Sequence, residues 1–149
     1  MKVVVVSGFF NPIHPGHISL IKEAKELGDF LIAIVNSDNQ VRQKGSVLFL
    51  DERARLLIVS ELKDVDVAML AIDKDGSVAY SLEWLRKSFP EHSMVFANGG
   101  DRSDDNHSSG EVKYCKENDI ELVYEVGSDK VYSSSSLISK AVINKTTRL

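Results

Sequence analysis

The sequence has few of the features that mark secreted or membrane proteins. Its 149 residues include a single cysteine, Cys115, which excludes an intrachain disulfide and favours a reducing compartment. The apolar run "FLIAIV" is too short to cross a bilayer, and the first run, "VVVV", is interrupted well before the length of a signal-peptide core. We therefore expect a cytoplasmic protein without a membrane partner.

Clusters of positive charge are also missing. Lysine and arginine number 18 against 22 acidic residues, which gives a net charge of −4. Sequence-independent binding of nucleic acid depends on neutralising many phosphates, so we expect no nucleic-acid partner. Any anionic ligand must be captured by a few local groups. The apolar fraction of 43% and charged fraction of 27% are those of an ordinary globular protein, and the length favours one domain, residues 1–149.

Apolar runs of strand length alternate with helical patterns along the chain. This alternation predicts a doubly wound, three-layer α/β sandwich with a five-stranded parallel sheet and a Rossmann-like fold. Strands are predicted at residues 3–6, 30–35, 65–72, 93–97 and 120–126. Helices are predicted at residues 15–27, closed by Gly28, at 51–62 with Asp51 as N-cap, and at 77–89, 111–119 and 133–143. Residues 36–50 are predicted to be a polar loop.

Three unusual loops follow the predicted strands. They are residues 7–17, "SGFFNPIHPGH"; residues 36–45, "NSDNQVRQKG"; and residues 98–102, "NGGDR". In a doubly wound sheet, ligands bind beyond the carboxyl ends of the strands, where the strand order reverses. We therefore expect these loops to lie at one edge and to form one site.

The first of these loops has the composition of an anion site. Pro15 is favourable in the first turn of a helix, and Gly16 lets a ligand approach the backbone closely. The helix start presents N–H groups and the positive end of the helix dipole. His14 and His17, three residues apart, lie on one side of this turn and could donate hydrogen bonds to a phosphate, above all in the transition state.

Other interpretations of the loop are weaker. A single histidine at a helix start is more often structural, and the cysteine and histidine spacings of a zinc site are absent. A P-loop needs a second glycine where Ile13 stands, and no GxGxxG follows the first strand. The phosphate site therefore uses another pattern.

That pattern resembles the HxGH signature of the nucleotidyltransferase superfamily, which includes cytidylyltransferases, phosphopantetheine adenylyltransferase and heptose-phosphate adenylyltransferase. Five segments are similar to the family's motifs in the same order: "SGFFNPIHPGH", "VRQKG", "DERARLL", "FANGGDR" and "VYSSSSLISK". The residues that carry the resemblance are Gly8, Phe10, His14, Gly16, His17, Arg42, Lys44, Arg53, Gly99, Gly100, Asp101, Ser134, Ser135 and Ser136.

The resemblance implies transfer of a nucleoside monophosphate from CTP or ATP to a small phosphorylated acceptor, with release of pyrophosphate. It assigns His14, His17 and Lys44 to catalysis. The residues that it assigns to nucleotide binding are Gly8, Phe9, Phe10, Gly16, Arg42, Arg53, Gly99, Asp101, Ser134, Ser135 and Ser136. Positioning and charge stabilisation account for most phosphoryl-transfer catalysis, so no covalent nucleophile is needed. Mg²⁺ is the expected cofactor, held by phosphates and water rather than by protein side chains. A homodimer is compatible with the family.

Two positions depart from the family's first motif. Phe9 stands where many members have threonine, and Asn11 stands where most have aspartate. The choice between CTP and ATP stays open, although "GGDR" and "GSDKVYSSSS" look nearer to the adenylyltransferases. Residues 73–76 and 102–110 are expected to shape the acceptor pocket, whose ligand is a sugar, polyol or vitamin phosphate.

Two alternatives have different functions. The first is a nucleotide-binding module of the same fold that senses a nucleotide without reacting. The second is a fragment of an aminoacyl-tRNA synthetase, which the short, acidic chain disfavours. The enzyme hypothesis predicts Mg²⁺-dependent release of pyrophosphate, whereas the sensing module predicts binding alone.

Overall fold

A parallel sheet of five strands forms the centre of the protein. The computed structural model describes residues 1–100 and 109–127, and the sheet has the order β3-β2-β1-β4-β5. The elements are β1 Lys2–Gly8, α1 Pro15–Lys25, β2 Phe30–Val35, α2 Asp38–Gln43, α3 Glu52–Ser60, β3 Val67–Leu70, α4 Ala79–Ser88, β4 Ser93–Ala97, α5 Ser109–Glu117 and β5 Ile120–Val123. The predicted fold class is confirmed. The predicted helix at residues 133–143 lies outside the described residues.

Helices cover both faces of the sheet because β1 is apolar on both sides. Val3 to Val6 are completely buried, and successive side chains of a strand point to opposite faces. Val3 and Val5 belong to the core that includes Leu82 of α4 and Cys115 of α5. Val4 and Val6 belong to the core that includes residues of α1 and α3. The result is the predicted three-layer sandwich.

The strand order reverses at β1. Strand β1 pairs with β2 on one side and with β4 on the other, and both pairs are parallel. The segments that follow β1, β2 and β4 therefore leave the sheet at the same edge, next to the crevice where doubly wound proteins bind ligands.

The prediction of a polar loop at residues 36–50 is wrong for residues 38–43, which form α2. Ser37 is the N-cap of α2: its hydroxyl accepts from the Gln40 N–H, and the Gln40 side chain accepts from the Ser37 N–H at 3.0 Å. This reciprocal pair is a capping box, which satisfies two N–H groups at the helix start. The sequence signal for this capping box is "SDNQ", in which a serine is followed three residues later by a glutamine.

Gly28 does not cap α1 as predicted. The helix ends at Lys25 with Glu26 as its C-cap, and Gly28 packs against the backbone of β1. A Cβ atom on Gly28 would lie 2.7 Å from the Lys2 carbonyl oxygen, too close for any side chain. The glycine is therefore required for the close approach of two backbones.

Across residues 1–100 and 109–127, none of the helices has the length and apolar character needed to span a membrane.

Candidate active site

The turn after β1 is shaped by Phe10. Its backbone has φ +50°, in the left-handed region, and its ring is buried. A Cβ atom on Gly8 would lie 3.0 Å from the ring, so glycine at position 8 leaves room for it. The ring also packs against His17, with 4.8 Å between ring centroids. Phe10 thus packs against one member of the histidine pair, and Gly8 leaves room for the Phe10 ring.

His14 and His17 are held by backbone N–H groups. His14 is the N-cap of α1, and its Nδ1 accepts from the Gly16 N–H at 3.1 Å, while Nδ1 of His17 accepts from the His14 N–H at 3.1 Å. The two rings stack with 3.8 Å between centroids. A neutral imidazole whose Nδ1 accepts carries its proton on Nε2. The arrangement therefore makes Nε2 the donor atom of both histidines.

The start of α1 has no acidic residue in its first turn. The positive end of the helix dipole is therefore not offset by a carboxylate of the same turn. Together with two Nε2 donors, this helix start has the chemistry of a phosphate site.

Lys44 lies beside this turn. Its Nζ is 4.3 Å from the centroid of the Phe9 ring, in a cation–π contact. Phe9 and Phe10 are adjacent, and their rings contact Lys44 and His17 respectively. Lys44 and His17, two predicted site residues, thus each contact the ring of one of two consecutive phenylalanines in this turn.

Arg55 is a buried residue that the sequence interpretation missed, since it assigned the arginine of "DERARLL" to Arg53. The Arg55 guanidinium donates to the Phe9 carbonyl at 2.8 Å and to the Asn36 carbonyl at 2.5 Å, and pairs with the Asp38 carboxylate at 2.8 Å. It fixes the ends of β1 and β2 relative to α2. Arg53, two residues earlier, is exposed. A buried arginine with several acceptors has no distinctive pattern in a single sequence.

Arg42 and Arg53 line a polar cleft of about 600 Å³ beside α2 and α3, together with Lys74. Gln40, also missed, ties this region to the next loop, because its Nε2 donates to the carbonyls of Asp75 and Ser77. The loop at residues 73–76, expected to shape the acceptor pocket, contributes Asp73 and Lys74 to the cleft.

A second cleft, of about 710 Å³, lies between α4 and α5. It is lined by residues of the loop before α4, including Asp73, and by Gly110 and Tyr114 of α5. Residues 73–75 and Gly110 thus border one space, as expected for an acceptor pocket, while residues 101–108 lie outside the described residues. The pocket's role stays a prediction.

The remaining predicted site residues follow β4 or lie near the end of the sequence. Gly99 and Gly100 come directly after the buried Asn98, at the edge that also carries the turn after β1. Asp101, Ser134, Ser135 and Ser136 lie outside the described residues. Within residues 1–100 and 109–127, no group of three histidine, cysteine or acidic side chains could hold a metal ion.

The sheet order and the edge at which the loops meet place the chain in the class of doubly wound, Rossmann-like α/β proteins. The family model for cytidylyltransferase-like proteins matches residues 5–141, and the chain belongs to this family. The predicted membership of the HxGH nucleotidyltransferase superfamily is confirmed.

Among curated proteins, an FAD synthase of Thermoplasma acidophilum is 46% identical over 75 residues, which cover 50% of this chain and 53% of that protein. The bifunctional protein HldE of Actinobacillus succinogenes is 33% identical over 122 residues, 73% of this chain and 25% of that protein. The chain thus spans about half the length of the FAD synthase it matches.

Two solved structures share the fold. The lipopolysaccharide core biosynthesis protein from Thermoplasma volcanium has a TM-score of 0.65 and 30% identity, over 87% of this chain and 99% of that one. A nicotinate-nucleotide adenylyltransferase from Vibrio parahaemolyticus has a TM-score of 0.63 at 18% identity, over 97% of this chain and 88% of that one.

Proposed function

We propose that this protein transfers a nucleoside monophosphate from a magnesium-bound nucleoside triphosphate to a small phosphorylated acceptor and releases pyrophosphate. The observation that carries the proposal is the pair of Nε2 donors on His14 and His17 at the start of α1, after a turn in which the Phe9 ring contacts the Lys44 ammonium group. These groups are all donors or cations. They suit the charge that develops on phosphate oxygens during transfer, and none is placed as a covalent nucleophile.

In the proposed mechanism the acceptor phosphate attacks the α-phosphorus of the triphosphate. Its second pKa is about 6, so it is largely ionised at neutral pH and needs no general base. His14 and His17 donate from Nε2 to the oxygens of the transferred phosphate, and Lys44 binds the triphosphate. Arg42 and Arg53, in the cleft beside α2, are proposed phosphate ligands. Ser134, Ser135 and Ser136 are proposed to hold the leaving pyrophosphate, and Gly99 and Asp101 to bind the nucleotide. Mg²⁺ enters with the triphosphate as part of the substrate.

We propose ATP as the nucleotide, with CTP as the second candidate. The support is the similarity to FAD synthases, because FAD contains an adenosine monophosphate unit joined to a flavin phosphate. The shared segment covers only half of each chain, so riboflavin phosphate is the first acceptor to test rather than an assigned substrate.

The test is a pyrophosphate-release assay with four nucleoside triphosphates against a panel of phosphate monoesters that includes riboflavin phosphate. The proposal predicts Mg²⁺-dependent release that needs both a triphosphate and an acceptor, and is greatest with ATP. Saturable ATP binding without release on any acceptor would instead identify a nucleotide-sensing module of the same fold.

A further inference from the structure

Phe9 and Asn11 are the two positions at which the turn after β1 departs from the family's first motif, and both contact residues 44–50. We propose that they are positioning residues for Lys44. Phe9 holds the lysine ammonium group at the turn that leads to the histidine pair, and Asn11 fixes the loop that continues from the lysine. This inference rests on the proposed function, in which Lys44 binds the triphosphate.

A buried arginine holds the backbone of Phe9. The Phe9 carbonyl accepts a hydrogen bond of 2.8 Å from Arg55, whose side chain is completely buried. The Phe9 backbone is therefore fixed by an arginine that cannot move without opening the core. The Lys44 Nζ lies 4.3 Å above the centroid of the ring.

Asn11 holds the following part of the same loop. Its side-chain amide donates to the Val47 carbonyl at 2.7 Å, and its Oδ1 accepts from the N–H groups of Phe49 at 2.7 Å and Leu50 at 3.2 Å. Asn11 is 3% exposed, so these bonds replace water. An ionised aspartate could accept the last two bonds but could not donate the first, and its charge would face the Val47 carbonyl. The amide therefore matches this loop conformation where a carboxylate does not.

An aromatic ring is a suitable holder for a phosphate-binding lysine. It attracts the ammonium group through its quadrupole and leaves the positive charge intact. A carboxylate at the same place would compete with the triphosphate for Lys44. With phenylalanine in place of threonine at position 9, the chain exchanges a hydroxyl that could contact phosphate for a surface that orients the lysine.

The experiment measures ATP–Mg²⁺ affinity by calorimetry in a double-mutant cycle of Phe9→Leu and Lys44→Ala. Leucine keeps the apolar volume and removes the aromatic face. We expect Phe9→Leu to weaken ATP–Mg²⁺ binding about two- to fivefold in the parent chain, because an exposed cation–π contact contributes a free energy of that size. In the Lys44→Ala chain the same substitution should leave ATP–Mg²⁺ binding unchanged. Phe9→Tyr, which keeps the face, should restore parent affinity.

Asn11→Asp is the second variant, and it too should weaken ATP–Mg²⁺ binding only when Lys44 is present. Effects of equal size in both Lys44 backgrounds would overturn the inference, because they would show a purely structural role. Loss of affinity with Phe9→Tyr equal to that with Phe9→Leu would overturn the part assigned to Phe9.

Turnover separates this inference from the proposed function. ATP binding with the expected coupling but no pyrophosphate release would leave the positioning role standing and refute the proposed reaction. Pyrophosphate release without coupling between positions 9 and 44 would leave the reaction standing and refute the positioning role. A chain that binds no nucleoside triphosphate would refute both.

Discussion

The N–H groups at the starts of α1 and α4 donate to different kinds of side chain. At α4, two buried carboxylates accept: Asp73 from the N–H groups of Tyr80 at 2.6 Å and Ser81 at 3.1 Å, and Glu111 from the N–H of Val78 at 2.8 Å. At α1, the acceptor is the imidazole Nδ1 of His14, and the first turn has no acidic residue.

The difference shows which helix start is suited to an anion. Two buried carboxylates accept from N–H groups at the positive end of the α4 dipole, whereas at α1 an imidazole nitrogen accepts and the first turn of the helix has no acidic residue. The cleft beside α4 is the larger of the two described clefts, at about 710 Å³ against about 600 Å³. The proposed phosphate site at the start of α1 therefore rests on the groups at that helix start and not on the size of either cleft.

The largest expected effect is at α1. His17→Ala removes a proposed transition-state donor and should lower pyrophosphate release by about 10²-fold or more. His92→Ala is the matched control, because His92 precedes β4 at the opposite edge of the sheet and contacts the N-terminal amine of Met1. Full turnover by His17→Ala would contradict the catalytic assignment.

At α4 the expected effect is on stability. Asp73→Ala leaves the N–H groups of Tyr80 and Ser81 and the Ser81 hydroxyl without their acceptor, which should cost roughly 1–3 kcal/mol in the free energy of unfolding. Urea denaturation measures this change, with the exposed Glu91→Ala as control. If Asp73→Ala unfolds at the same urea concentration as the control, the carboxylates do not stabilise the start of α4.

The last expected effect concerns Cys115, a buried residue of α5 that packs in the core with residues of α4. Burial, with a lesser contribution from Glu111, raises the pKa of its thiol from 9.0 to about 12. The unfolded chain loses this proton at lower pH than the folded chain does. The thiol's contribution to stability is therefore present below about pH 9 and lost between about pH 9 and 12.

The same thiol reports on the start of α4. At pH 8 a thiol reagent should label folded Cys115 slowly, faster after Asp73→Ala, and at the parent rate after His92→Ala. Equal labelling rates in the parent and the Asp73→Ala chain would show that the start of α4 does not hold the face that covers Cys115.

Regular elements were predictable from local patterns. The predicted bounds of β2 and β4 agree with the structure, because a buried strand is a continuous apolar run between polar residues. The α2 helix was missed because it has only six residues and its apolar content is small. Asp51 was correctly predicted as the N-cap of α3. Single-domain organisation and dimerisation stay predictions.

The site was predictable in its motifs but not in its supports. The HxGH turn was found because histidine, proline and glycine at a helix start have few other uses together. Arg55 was missed in favour of Arg53, since alternate residues of one helical turn cannot be ranked without knowing which face is buried. Phe9 and Asn11 were noted only as departures, because their partners lie about 35 residues or more away in the sequence.

The sequence by itself determined the fold class, the family and the helix start that carries the histidines. These follow from local periodicity and from motif order, which each segment expresses independently. Only the tertiary structure decided which imidazole nitrogen is the donor, which arginine is buried, and that positions 9 and 11 hold residues 44–50. Those features depend on the directions of side chains from distant segments, which become defined only when the strands pair and the helices pack.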